Sequence, residues 1–220
     1  MNISYDLIIV AKSSREDLKR VTQRCIDTAL ADGEINVIVV ETSGNIHKYT
    51  GVSETVLYSG PFCYNRALNM GLERAKGNVH ILANNDLLFH PGWGVMGEQM
   101  YINDYHSACA LSQDPRQRVY ARGDFIYPGY SVGYHIVGWC IFVTKECITK
   151  IGKLDESFEF WYSDNMYAEQ IQSAGIRHGL FCNVQIDHVT SVTLRTLAPR
   201  DQRKYSFNAR NKYNALKNAV

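Results

Sequence analysis

Residues 78–93 read NVHILANNDLLFHPGW, and this stretch decides the fold. An apolar run at residues 79–83 is followed at once by Asn84, Asn85 and Asp86, after which apolar residues return. A continuous apolar run is typical of a strand in a parallel sheet that is covered on both faces. Ligands of such sheets bind beyond the carboxyl ends of the strands. The polar triplet therefore stands where this kind of sheet holds a ligand.

Further strands and helices alternate along the rest of the chain. Ser13 and Glu16 have the spacing of a capping box, which predicts that a helix follows the first strand. Residues 100–133 show no clear period and predict an irregular surface segment. The pattern predicts an α/β fold, a mostly parallel sheet flanked by helices. The predicted strands are 5–11, 35–40, 79–83, 137–143 and 180–186, and the predicted helices are 13–33, 64–77, 145–152, 163–174 and 199–216.

Composition indicates one globular domain over residues 1–220. The chain is 45% hydrophobic and 20% charged, which argues against disorder. From Val189 onward, seven basic residues face one acid, a net charge of +6, so the remainder carries −5 of the total of +1. This basic end either meets an anionic partner or is a solvated helix face. The basic residues are Arg195, Arg200, Arg203, Lys204, Arg210, Lys212 and Lys217.

Several other classes of protein are disfavoured. The first apolar run is too short to span a membrane, and Asp6 precedes it, unlike in a signal peptide, so we expect a cytoplasmic protein. The six cysteines form no C-x-x-C pair, and we expect neither disulfides nor a zinc site. The segment AKSSRED after the first strand lacks the glycines of a dinucleotide-binding turn, and the chain has no P-loop motif.

Three motifs in order carry a resemblance to a known family. They are the N-x-G-x-x-x-A-x-G-N pattern at residues 69–78, the D-x-D-like triplet at 84–86, and the block IGKLDESF followed by Asp164. Together with the strands at 5–11 and 35–40, they resemble the GT-A fold glycosyltransferases of the family 2 type. The resemblance covers residues 5–188. It implies transfer of a sugar from a nucleoside diphosphate sugar, UDP-sugar being the base expectation, with inversion at the anomeric carbon.

The resemblance implies a division of the chain and a metal site. Residues 1–99 would form the donor nucleotide half, 100–190 the acceptor half, and 191–220 a basic helix or tail. Asp86 matches the carboxylate that binds a divalent cation, Mn²⁺ or Mg²⁺, together with the donor diphosphate. A hard cation prefers carboxylate oxygen and neutralises charge on the leaving diphosphate. His188 resembles the late histidine of the metal shell, although a lone histidine at a strand end is more often an ordinary hydrogen-bonded residue.

The donor nucleotide is expected to meet the ends of the first strands. The residues assigned to it are Ala11, Glu41, Asn65, Asn84 and Asn85. An amide at Asn84 can hydrogen-bond a ribose hydroxyl, and Glu41 is expected to contact the base or ribose. The alternative interpretations are that the triplet forms only a local turn and that Asn65 makes only a contact near a helix N-terminus. Asn85 has no role that the motif assigns.

Asp164 matches the catalytic carboxylate of the family that the sequence resembles. It would remove the proton from the acceptor hydroxyl, although an Asp at this position also suits a helix N-cap. The chain departs from the family pattern at four positions. Asn84 replaces the first carboxylate of the D-x-D motif, and Ser163 the acid that often precedes the catalytic carboxylate. Leu68 replaces a common arginine and Glu41 a common Asp. The other open function classes are a catalytically silent sugar-binding or nucleotide-binding relative and a nucleotidyltransferase of similar fold.

The resemblance implies a hydroxyl-bearing acceptor, with a glycan as the main expectation and a hydroxymethylated base in duplex DNA as the minority hypothesis. Residues 125–139, FIYPGYSVGYHIVGW, supply aromatic faces that suit sugar rings or bases, or that simply pack in the core. The basic end of the chain would suit a phosphate backbone or a pyrophosphate.

Overall fold

The computed structural model describes residues 2–120, 125–189 and 199–218. Within them, nine strands form one mixed sheet, in the order β3-β2-β1-β4-β8-β6-β9-β5, and β7 pairs with β9. The strands are β1 Tyr5–Ala11, β2 Asn36–Glu41, β3 Glu54–Leu57, β4 Val79–Asn84, β5 Leu87–Phe89, β6 Ser107–Leu111, β7 Ile126–Pro128, β8 Cys140–Thr144 and β9 His178–His188. The helices are α1 Glu16–Leu30, α2 Tyr64–Leu72, α3 Met96–Ile102, α4 Pro115–Arg118, α5 Lys145–Ile151, α6 Ser163–Ser173 and α7 Pro199–Lys217.

The prediction of a mostly parallel sheet flanked by helices is confirmed. β1 to β4 are mutually parallel, and β6 and β9 run in the same direction because β8 is antiparallel to both β4 and β6. The short strands β5 and β7 are antiparallel to β9. Six of these nine strands therefore share one direction, and their carboxyl ends meet at one edge. A single sheet joins the two halves that the sequence suggested.

The core lies on both faces of this sheet, as the continuous apolar strands require. In β1, Leu7 and Ile9 pack into one cluster with α1, while Ile8 and Val10 pack into the other with α2. The same alternation runs through β2, β4 and β8, because successive side chains of a strand point to opposite faces. β4 is buried along its length up to Asn84, which is half-buried.

Several predicted boundaries were wrong. α1 begins at Glu16 after Arg15, with no side-chain cap, so the capping box at Ser13 does not form. Ser13 Oγ instead lies 3.2 Å from Thr22 Oγ1 and 2.6 Å from the hydroxyl oxygen of Tyr49. α2 ends at Leu72 rather than near residue 77, and the strand expected from residue 137 begins at Cys140.

The segment 100–133 is more regular than its sequence suggested. It contains the end of α3, the buried strand β6, the short helix α4 and the edge strand β7. β6 reads SACAL, and its small residues carry little of the branched apolar signal by which strands are recognised. Among the described residues, no helix is long and apolar enough to cross a membrane.

Asp6 ties the edge of the sheet opposite the strand carboxyl ends. Its carboxylate accepts hydrogen bonds from the amides of Lys76 and Gly77 and from Asn36 Nδ2, and lies 3.0 Å from His80 Nδ1. Burial alone would raise the pKa of Asp6, but these hydrogen bonds outweigh it and hold the pKa below the ordinary 3.8. One carboxylate therefore joins β1, β2, β4 and the turn before β4.

We expect Asp6→Ala to lower the free energy of unfolding by about 3 kcal/mol, because it strands several buried donors. Urea denaturation at neutral pH measures this loss. Because the pKa of Asp6 is lower in the folded state, the ionised carboxylate contributes its full stabilisation above pH 3.8. This stabilisation is lost as the pH falls through the pKa of Asp6 in the folded protein. Asp27→Ala, at an exposed position of α1, is the control and should change stability by under about 0.5 kcal/mol. Equal effects of the two changes would contradict this role for Asp6.

Candidate functional site

A cavity of about 780 Å³ opens at the edge where the parallel strands end. Of the residues assigned to a site from the sequence, the structure places seven in its lining and leaves Glu41 outside. Those seven are Ala11, Asn65, Asn84, Asn85, Asp86, Asp164 and His188. They come from β1, α2, the end of β4, α6 and β9, so the parallel direction of these strands is what brings them together.

Asp86 and His188 form a closely spaced polar pair in this cavity. Asp86 Oδ1 lies 3.0 Å from His188 Nε2, with 6% and 21% of the two side chains exposed. Antiparallel pairing of β5 with β9 sets this distance, because Leu87 lies opposite His188 and the Val189 amide donates to the Asp86 carbonyl. The Trp139 indole stacks on the imidazole, with ring centroids 5.4 Å apart and planes inclined by 15°.

Asp164 lies in the same cavity at the first turn of α6. Its Oδ1 accepts from the Asn165 amide at 3.0 Å. Burial raises the pKa of Asp164 above its ordinary value, against this hydrogen bond and the charge of Arg116. A side chain at Gly138 would bring its Cβ within 2.9 Å of the Asp164 Cβ, so only glycine allows this close approach.

Tyr64 lies near both carboxylates. Its side chain is buried, its hydroxyl donates to the Gly138 carbonyl at 3.4 Å, and it lines the cavity. Burial raises the pKa of Tyr64, and the charges of Asp86 and Asp164 raise it further. Asp86, which follows β4, and Asp164, which lies in α6, are therefore both close to Tyr64 in the same cavity.

Glu41 does not face the cavity, and the expected contact of its side chain with a base or ribose is not supported by its position. The side chain is fully buried and accepts from the Ser13 amide at 2.9 Å, the Ser43 amide at 3.1 Å and the Tyr49 hydroxyl at 2.8 Å. These bonds satisfy both carboxylate oxygens. Glu41 instead fixes the loops after β1 and β2, which hold Ala11 and Lys12 at the cavity wall.

Two asparagines of the site make structural hydrogen bonds. Asn85 Nδ2 donates to Thr22 Oγ1 at 2.9 Å, which ties the triplet to α1 and supplies the role that the sequence left unassigned. Asn65 Nδ2 donates to the Asp155 carbonyl at 2.6 Å, and Asn69 bonds both backbone groups of Leu154. The motifs at 69–78 and 151–164 are thus joined directly.

Other cavity residues were not assigned from the sequence. Aromatic residues from the end of the IGKLDESF block up to Ser163 form one wall of the cavity, and Trp139 also lines it. The run Phe-Trp-Tyr directly before Ser163 and Asp164 was the sequence signal that could have found this wall. Lys212 of α7 also lines the cavity, where its ammonium group donates to the Ser157 carbonyl and lies 5.0 Å from the Phe158 ring centroid. The aromatic wall comprises Phe158, Phe160, Trp161 and Tyr162.

The basic end of the chain is only partly described. Arg195 and the side chains of Arg200 and Lys204 lie outside the described residues. Of the remaining basic side chains, Lys212 contacts the cavity wall and Lys217 pairs with Glu169 at 2.7 Å. At least part of this charge is therefore used within the protein.

Asp86 and His188 fit a divalent cation. Two ligands on adjacent corners of an octahedron at about 2.1 Å from the metal are about 3.0 Å apart, the separation of Oδ1 and Nε2. Among the described residues, no group of three or more His, Cys, Asp and Glu side chains could hold a metal. Two protein ligands suit a cation that also takes water and substrate phosphate oxygens.

Comparison with known proteins supports the fold. No protein-family model matches the chain, and no curated protein matches its sequence. Among solved structures, GalNAc-T7 with UDP, GalNAc and Mn²⁺ superposes with a TM-score of 0.64 at 11% identity, over 84% of this chain and 43% of that one. This chain has the GT-A glycosyltransferase fold.

A second GT-A structure agrees with this assignment. The structure of S. aureus TarS, residues 1–349, superposes with a TM-score of 0.57 at 10% identity, over 84% of this chain and 60% of that one. This chain thus spans less than two thirds of the length of either neighbouring structure.

We expect Glu41→Ala to lower the free energy of unfolding by about 2–4 kcal/mol, because it leaves the buried Ser13 amide and the half-buried Ser43 amide without an acceptor and removes the carboxylate that binds the Tyr49 hydroxyl. Asn84→Ala, at the cavity lining and half-buried, should cost under about 1 kcal/mol. Chemical denaturation of both variants measures the difference. A stable Glu41→Ala protein would contradict the structural role of this carboxylate.

Proposed function

We propose that the protein is a glycosyltransferase that moves a sugar from a nucleoside diphosphate sugar, UDP-sugar in the first instance, to an acceptor hydroxyl. The observation that carries the proposal is the shared cavity of the Asp86–His188 pair and Asp164 in a GT-A fold. One neighbour of this fold was crystallised with UDP and Mn²⁺. A pair of side chains that fits a cation and a half-buried carboxylate in the same cavity match the two requirements of sugar transfer.

Asp86 Oδ1 and His188 Nε2 would hold the divalent cation, Mn²⁺ or Mg²⁺. When bound, the cation neutralises charge that develops on the leaving diphosphate. Trp139 fixes the imidazole plane of His188 by stacking, and the β5–β9 pairing fixes its distance from Asp86. The protein ligands are therefore held in place before a donor arrives.

The donor nucleotide would lie along the ends of β1 and β4. Ala11, Asn65, Asn84 and Asn85 line this part of the cavity, and Lys12 adds a positive charge beside them. Because Asn85 and Asn65 also bond to Thr22 and Asp155, we assign them mainly to shaping this wall. Asn84 is then the amide best placed to reach a ribose hydroxyl.

Asp164 would act as the general base in an inverting displacement. Its carboxylate accepts the proton of the acceptor hydroxyl while that oxygen forms a bond to the anomeric carbon. The bond from the anomeric carbon to the diphosphate oxygen breaks on the opposite face, and its electron pair leaves with the nucleoside diphosphate. Burial raises the pKa of Asp164, which makes the carboxylate a stronger base than an exposed aspartate.

The acceptor would approach from the side of α6 and the aromatic wall. Aromatic faces suit the apolar face of a sugar ring and would also stack on a base. A glycan and a hydroxymethylated base in duplex DNA are therefore both acceptors to test. Engagement of Lys212 and Lys217 within the protein leaves less charge on α7 for a phosphate backbone.

We expect Asp164→Asn to lower kcat for sugar transfer by about a hundredfold or more, because an amide cannot take the proton. UDP affinity, measured by calorimetry with Mn²⁺, should stay within threefold of wild type. The raised pKa also places the acid limb of the wild-type kcat profile above pH 3.8, with activity lost as the pH falls and the carboxylate is protonated. Retained turnover in Asp164→Asn would remove this residue from the mechanism, with Asp27→Asn as the matched control.

We expect UDP with Mn²⁺ to raise the melting temperature of the wild-type protein by several degrees, because a ligand bound only to the folded state must stabilise it. Asp86→Ala and His188→Ala should each abolish the part of the shift that requires Mn²⁺. His106→Ala, at the opposite edge of the sheet, is the control. No stabilisation by any UDP-sugar or other nucleotide sugar, with or without Mn²⁺, would exclude the proposed function.

The two other function classes give different outcomes in the same assays. A catalytically silent relative would bind a nucleotide sugar without releasing UDP. A nucleotidyltransferase would release pyrophosphate from a nucleoside triphosphate and a sugar phosphate. Slow Mn²⁺-dependent release of UDP from a UDP-sugar separates the transferase from both.

A further inference from the structure

Ser163 places a buried hydroxyl in the cavity wall directly before Asp164. The residue is 4% exposed, and its Oγ has no hydrogen-bond partner among the described residues. It lines the same cavity as Asp164. A buried hydroxyl without a hydrogen-bond partner destabilises the folded protein. Native proteins seldom contain one unless a bound molecule supplies the missing hydrogen bond.

The backbone around Ser163 is held in a strained conformation. Tyr162, which precedes it, has φ 71° and ψ 3°, in the left-handed region that non-glycine residues rarely occupy. Ring contacts restrain this residue: Tyr162 lies 4.9 Å from Tyr213 of α7 and 6.2 Å from Phe158 between ring centroids. Strain of this kind concentrates at functional sites, where surrounding contacts maintain it. Packing of the Tyr162 ring thus holds the backbone conformation directly before Ser163.

The chemistry of position 163 differs from that of the family the sequence resembles, in which an acid often stands here. A second carboxylate beside Asp164 would disfavour ionisation of the base through like-charge repulsion. A hydroxyl adds no charge and can both donate and accept a hydrogen bond. It therefore suits a neutral partner that carries its own hydroxyl groups.

We infer that Ser163 Oγ hydrogen-bonds the acceptor, at the oxygen next to the one that Asp164 deprotonates. Sugars present such neighbouring hydroxyls as vicinal diols, and Trp161 in the adjacent wall offers a face for the ring. The acceptor assigned by this geometry is a neutral sugar with a vicinal diol. The inference rests on the proposed function and selects between its two acceptor classes.

The test uses the full chain, a UDP-sugar that releases UDP with Mn²⁺, and two sets of acceptors. One set contains methyl pyranosides and their single deoxy analogues, and the other contains duplex oligonucleotides with hydroxymethylated pyrimidines. We expect pyranosides to accelerate UDP release from the wild-type protein. Ser163→Ala should raise the KM for the pyranoside about tenfold, because it removes one neutral hydrogen bond, while the KM for the donor changes by under twofold.

Two further variants guard against a general effect on folding. Ser163→Thr keeps the hydroxyl and should restore most of the acceptor affinity, and Ser173→Ala changes an exposed serine of the same helix and should match wild type. For the pyranoside that loses a vicinal hydroxyl, wild type and Ser163→Ala should have similar KM values. An unchanged KM in Ser163→Ala contradicts the inference, as does turnover of the oligonucleotides alone or of neither acceptor set. Failure of the wild-type protein to bind or cleave any nucleotide sugar instead overturns the proposed function itself.

Discussion

The structure depends on the burial of β4 from Val79 to Ala83. This strand is hydrogen-bonded to β1 on one side and to β8 on the other, and apolar side chains cover both of its faces. A strand fixed on both edges and both faces has no freedom to change register without moving its apolar residues out of the core. The position of Asp86, two residues beyond its end, is therefore as fixed as the core itself.

The antiparallel neighbours of this sheet have a specific consequence for the cavity. β8 runs against β4, so its first residues, with Gly138 and Trp139 before them, reach the edge where β4 ends. β5 runs against β9 and sets Asp86 beside His188. A purely parallel sheet would bring only strand carboxyl ends to this edge. The mixed topology adds a strand start, which supplies both the stacking partner of His188 and the glycine against Asp164.

The sequence could predict β1, β2 and β4 and the cavity residues at their ends, but not the short strands β3 and β5. Continuous apolar runs made β1, β2 and β4 visible, and the motifs located Asp86, Asp164 and His188. β6 was missed because its small residues carry a weak strand signal, and the capping box at Ser13 was wrong because Glu41 and Tyr49 compete for the Ser13 backbone and hydroxyl groups. Such competition depends on contacts between residues far apart in the chain, which no local pattern contains.

The role of Glu41 also depends on contacts between residues that are far apart in the chain. Because Glu41 ends a strand, the sequence predicted that its carboxylate faces a ligand. Three hydrogen bonds instead hold this carboxylate against the loops after β1 and β2. The two carboxylates that do face the cavity have different surroundings: Asp86 is paired with an imidazole, whereas burial dominates around Asp164. Carboxylates separated in this way take different chemical tasks within one cavity. Asn84 and Ser163 stand where the family that the sequence resembles often has acids, so the cavity carries less negative charge than two further carboxylates would give it. This favours the approach of the anionic nucleoside diphosphate sugar that we propose as donor.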